Sequence, residues 1–98
     1  MNINKNQNGS MLTIALEGRL DTTTAPALEQ EIKSSLGGVT ELVMDLAKLD
    51  YISSAGLRVL LAAHKIMAKQ GSMKVIHANE MVMEVFEVTG FSDILTIE

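Results

Sequence analysis

The chain contains no cysteine and no tryptophan. Disulfides and thiolate metal sites are therefore excluded, and no internal feature needs an oxidising compartment. Proline occurs once, as Pro26, and no linker or low-complexity tract interrupts the 98 residues. The only aromatic residues are Tyr51, Phe86 and Phe91, too few for a base-stacking platform. Eight Lys and Arg stand against 12 Asp and Glu, a net charge of −4. That balance argues against direct nucleic-acid binding, which needs clustered cations. No apolar run nears the roughly 18 residues of a membrane span, and the polar start from Met1 to Gly9 holds no signal-peptide core. A cytoplasmic chain with no membrane insertion is expected. Apolar residues make up 47% and charged residues 20%, the balance of a folded domain. Residues 1–98 are expected to form one domain with one modest core.

Enzyme signatures are also missing. There is no phosphate-binding G-x-x-x-x-G-K-[ST] loop, no G-x-G-x-x-G and no G-x-S-x-G elbow. His64 and His77, the only histidines, lack metal-ligand spacing. Ser54 cannot use His64 as a base, because ten residues of helix separate them by about 15 Å. His77, at the end of a predicted strand, remains geometrically open as a partner for Ser54. Read blandly, His64 is a core-edge residue and His77 a surface loop residue. No catalytic residue, cofactor site or metal site is assigned.

The apolar periodicity gives the fold class. Asn2–Lys5 and the alternating Met11–Glu17 predict a hairpin around Asn8-Gly9. Gly18 to Asp21 ends the second strand. Ala25, Leu28, Ile32 and Leu36 mark a helix with Pro26 in its first turn, Thr24 as the nearest cap and Gly37-Gly38 as its stop. Val39–Leu46 reads as a buried strand and Ala47–Ile52 as a connector. The longest helix runs from the Ser53-Ser54-Ala55-Gly56 segment to about Gln70. Leu57, Leu60, Leu61, His64, Met67 and Ala68 lie on its predicted inner side, Val59, Ala63 and Ile66 extend the apolar arc, and Arg58, Lys65 and Lys69 form a narrow basic stripe on a mostly buried helix. Met73–Ala78 predicts a strand. Glu80–Thr89 predicts a helix capped by Asn79, with Val82, Val85, Phe86 and Thr89 inward and Met81 and Met83 outward. Ile94–Ile97 is a last short strand. The order β-β-α-β-α-β-α-β predicts an α/β domain: a mixed, largely parallel sheet of about five strands covered by three or more helices.

The segment Asp50-Tyr51-Ile52-Ser53-Ser54-Ala55-Gly56-Leu57 places two serines at the start of the longest helix. One reading is structural: a serine caps the helix, its neighbour fills a turn and Gly56 relieves crowding. The other is that a serine hydroxyl accepts a phosphoryl group, whose charge the helix N-terminus would favour.

Val43-Met44-Asp45-Leu46 followed by Leu49 and Ile52-Ser53-Ser54-Ala55-Gly56-Leu57 resembles the signature of STAS domains. More narrowly it resembles the stand-alone bacterial anti-sigma factor antagonists. Glu17-Gly18-Arg19-Leu20-Asp21 is similar to the family's G-x-L-D element, and Val88-Thr89-Gly90-Phe91 to its closing t-G-[LF] element, so the resemblance covers essentially the whole chain. It implies a STAS-type fold and a regulatory protein without catalysis of its own. The unphosphorylated form would bind an anti-sigma factor that is also a serine kinase, so that sigma factor is released. Phosphorylation would switch it off and a serine phosphatase would restore it. The resemblance puts the acceptor at Ser54 and turns Asp21 toward the kinase. With Thr22, Thr23, Ser53, Ala55 and Gly56 beside them, and Arg58 one helical turn beyond Ser54 where it can meet an acidic patch, these residues form the expected partner surface. Where many members carry Asp before the acceptor, this chain has Ser53, which becomes a rival acceptor. Two further readings of the same fold are a docking subunit of a membrane transport complex and a small nucleotide-binding regulatory domain.

Overall fold

The computed structural model describes residues 1–98. Its sheet has the order β1-β2-β3-β4, with β1 at Asn2–Asn8, β2 at Met11–Leu20, β3 at Glu41–Ile52 and β4 at Ser72–Ile76. β1 runs antiparallel to β2, whereas β2–β3 and β3–β4 are parallel. The parallel pairs need crossovers, supplied by α1 (Ala25–Ser35) and α2 (Ser54–Ala68). α3 (Glu80–Thr89) and a short 3-10 turn at Phe91–Asp93 follow β4. The core runs along one sheet face through Leu12, Ile14 and Leu16 of β2, Leu42, Met44 and Leu46 of β3, and Met73 and Val75 of β4. Leu28 and Ile32 of α1, Leu57, Leu60 and Met67 of α2, and Val82 and Phe86 of α3 complete it.

Several expectations change. The Ala47–Ile52 segment is not a connector but the second half of β3, paired with Glu17–Leu20. Register shifts between Ala15 and Glu17 and between Gly18 and Arg19 let both strands continue beyond the predicted ends. Near the C-terminus a full fifth strand is replaced by one parallel bridge, Val75 to Ile97. On α2, Val59 and Ala63 are buried while Ala68 is exposed. The buried arc is therefore centred toward Val59 and Ala63, which extend the predicted apolar arc, and away from Ala68, while Arg58, Lys65 and Lys69 face solvent as expected.

The ends of α3 follow the predicted chemistry. Asn79 Oδ1 accepts the Val82 N–H at 2.8 Å. Gly90 reverses the chain at φ +81°, its N–H donating to the Glu87 carbonyl, and Phe91 packs on the core. Thr89 is exposed, its hydroxyl donating to the Val85 carbonyl at 2.6 Å. Met81 is outward as expected, but Met83 packs against the core.

Candidate functional site

β2 and β3 end side by side at Leu20 and Ile52. The Asp21–Thr24 turn and the start of α2 therefore emerge together, held by the Ser53 N–H donating to the Leu20 carbonyl at 2.9 Å. Gly56 permits the close approach: a β-carbon there would lie 2.6 Å from Leu20 Cγ and 3.0 Å from Ile52 Cγ1. Both neighbours are buried. Gly56 is itself buried, so it shapes the site rather than presenting a contact.

The two serines have different environments. Ser53 is the N-cap of α2, yet its hydroxyl makes no cap bond, and its Oγ is buried without a partner. Ser54, the first helical residue, is exposed. The N–H groups of Ser54, Ala55 and Gly56 have no acceptor from the helix itself. Because Ser53 Oγ has no bond to lose, Ser53→Ala should leave stability unchanged or raise it. Loss of a bonded cap costs about 0.5–2 kcal/mol. Urea unfolding distinguishes the two, and a loss of about 1 kcal/mol would show a cap bond in solution.

Asp21 is held by its own turn. Its Oδ1 accepts the Thr23 hydroxyl at 2.7 Å and the N–H groups of Thr23 and Thr24 at 3.0 and 3.2 Å. The hydrogen bonds from Thr23, its hydroxyl first, together with the Thr24 donors, hold the carboxyl below its ordinary value against a smaller effect of burial. Thr24 occupies the predicted cap position of α1 but does not cap it. Its Oγ1 instead donates to the Arg19 carbonyl at 2.8 Å and accepts the Asp21 N–H at 2.9 Å. Asp21 thus organises the turn, while Thr22 and Thr23 are exposed. A depressed carboxylate stabilises the fold above its unfolded pKa and ceases to do so as pH falls through the folded value. Wild type should therefore melt above Asp21→Asn at neutral pH, and the gap should close as pH drops below about 4. A gap that persists in acid would contradict the assignment.

Arg19 and Tyr51 were not singled out by the sequence. They are register partners at the ends of β2 and β3, with the guanidinium 4.3 Å from the ring centroid. Arg19 also lies 3.9 Å from Asp21 Oδ2. Only the extension of β3 through Tyr51 brings them together. On the other flank, Thr22, Ala25, Pro26, Glu29, Ala55, Arg58 and Val59 line a shallow groove between α1 and α2.

His77 is not part of this site. Its Nδ1 lies 3.0 Å from Asp45 Oδ1, and Asp45 precedes Ile52 by seven strand residues, roughly 20 Å at 3.3 Å per residue. No base for Ser54 comes from it. Burial acts to raise the Asp45 carboxyl, but the Ala47 N–H and the His77 ring outweigh it and hold it below its ordinary value. His64 is half-buried on α2. No group of three or more His, Asp or Glu is arranged to hold a metal ion, and no helix is long and apolar enough to cross a membrane.

A family model for the STAS domain matches residues 2–98. The chain belongs to the STAS domain family. It is 40% identical over 89 residues to a Bordetella bronchiseptica protein provisionally named anti-sigma factor antagonist BtrV, covering 89% of this chain and 77% of that one. The Bacillus subtilis anti-sigma-B factor antagonist is 29% identical over 98 residues, 99% of this chain and 90% of that protein. Among solved structures, the Bacillus anti-sigma factor antagonist SpoIIAA in its unphosphorylated form shares the STAS fold at a TM-score of 0.86 and 18% identity. That match covers 99% of this chain and 88% of that one. SpoIIAA has also been solved phosphorylated, with a TM-score of 0.77.

Proposed function

We propose that this STAS domain is an anti-sigma factor antagonist switched off by phosphorylation at Ser54. The observation that carries the reading is the contrast between the two serines. Ser54 presents an exposed hydroxyl at the start of α2, whereas Ser53 Oγ is buried. Kinship with BtrV and the anti-sigma-B factor antagonist supplies the biological class.

The chain works as ligand and substrate, not as catalyst. Phosphoryl transfer needs Mg²⁺, a base and phosphate clamps, and the anti-sigma factor kinase provides them. Ser54 Oγ attacks the γ-phosphorus of ATP, the bond to the β-phosphate bridging oxygen breaks, ADP leaves, and the hydroxyl proton passes to the kinase's base. A serine phosphatase hydrolyses the phosphoserine and restores the binding form. Thr22, Thr23, Ser54 and Arg58 are the exposed groups available to the partner, with Ala55 half-buried between them. Asp21 and Gly56 hold the surface in shape.

The test is incubation with the cognate kinase, Mg²⁺ and ATP, followed by fragment mass spectrometry. One phosphate at Ser54 is expected, and none on Ser54→Ala, which should still bind the kinase. Phosphate confined to Ser53 would overturn the acceptor assignment. No modification at all would favour a constitutive docking module.

A further inference from the structure

We propose that Arg58 is the intramolecular clamp for the phosphate on Ser54, so that modification masks a cation of the partner surface as well as adding an anion. The proposal rests on Ser54 being the acceptor and concerns what this chain does with the phosphate once it is there.

Position comes first. Arg58 follows Ser54 by four residues on α2, so the two lie on one helix face about 6 Å apart along the axis. Helical side chains lean toward the N-terminus and cover the preceding turn. Arg58 accordingly lines one groove with Ala55. An anion four residues before a cation is the favourable order for such a pair.

Availability comes second. The cation on the neighbouring strand is engaged, since Arg19 lies over Tyr51 and beside Asp21. Lys5, Lys33, Lys48 and Lys74 have carboxylate partners. Arg58, Lys65 and Lys69 have none, and Lys65 is already about 16 Å along the axis from Ser54. Arg58 is therefore the one unpaired cation within reach. Around it stand Glu29 of α1, itself bonded to Lys33 at 3.2 Å, and the neutral Thr22. A guanidinium offers a planar fork of donors that matches phosphate oxygens, which a lysine does not.

In the unmodified protein the same guanidinium is free for an acidic group of the partner. Phosphorylation turns it inward, and the partner loses both a neutral hydroxyl and its counter-charge.

The test uses full-length protein carrying phosphoserine installed at position 54 during synthesis, so no kinase is needed. Phosphorus NMR follows the second phosphate ionisation, ordinarily near pH 6. Its pKa in wild type should lie about 0.3–0.7 below that of Arg58→Gln. Arg58→Lys should recover only part of the difference, and Lys65→Gln should match wild type. Identical values in wild type and Arg58→Gln would overturn the clamp. Mass spectrometry of the kinase-treated protein judges the acceptor separately, so the two failures are distinguishable.

Discussion

Gly71→Ala should be the most damaging single-methyl change in the chain. A β-carbon on Gly71 would collide with the carbonyl oxygen of Thr40 and sit 2.8 Å from Thr40 Cα. This is backbone against backbone, so no rotamer change relieves it. Thr40 is fixed on both sides: its N–H donates to the Ser10 carbonyl and its carbonyl accepts the Ser72 N–H, each at 2.9 Å. Gly71 is tied to the end of α2 through its N–H on the Met67 carbonyl at 2.7 Å. Next to it, Gln70 Nε2 donates to the carbonyls of Leu36 and Val39 at 2.7 and 2.6 Å. The α2–β4 turn and the entry to β3 would have to separate. We expect a loss of about 3 kcal/mol, the upper end for overpacking, or roughly 12–24 °C in melting temperature for a domain of this size. Gly37→Ala is the control, since nothing lies within 4 Å of a β-carbon there. Equal melting of the two variants would refute the close approach.

Ser54→Asp should keep the fold and lose the partner. At the first position of α2 a carboxylate is favoured by about 0.3–1 kcal/mol, so melting should not fall. The helix behind it is anchored by Leu57, Leu60 and Met67, each buried, and has no reason to move. At the interface the same charge must be stripped of water. Arg58, drawn to the new carboxylate, leaves the partner's acidic group without its counter-charge, and a buried charge that loses its partner costs about 3–5 kcal/mol, which is roughly a 10²–10³-fold loss in affinity. Amide NMR shifts between wild type and variant should stay within the Asp21 turn and the first turns of α2. Shifts spreading through the sheet and α3 would replace blockade with refolding as the mechanism.

Local chemistry made much of this legible in sequence. Asn79 and Gly90 bracket α3 as their residue types require, and Pro26 falls in the first turn of α1. β3 beyond Leu46 was not legible, because its buried residues there are Leu49 and Ile52, with Ala47, Lys48 and Asp50 exposed. Irregular pairing with β2 breaks the period of two on which strand reading depends. At the site, motif spacing singled out Ser54, but the sequence could not separate it from Ser53. That distinction arises from burial at the end of β3. The resemblance places Asp21 on the partner surface; its bonds to Thr23 and Thr24 give it in addition a turn-holding role that depends on the local backbone.

The most direct test of the central claim, that one phosphate at Ser54 governs partner binding, is a calorimetric titration of the cognate anti-sigma factor kinase. The unphosphorylated protein and the protein homogeneously phosphorylated at Ser54 are compared under the same salt and nucleotide. Tight binding of the first and at least about 100-fold weaker binding of the second are expected. Equal affinity of the two forms would contradict the claim.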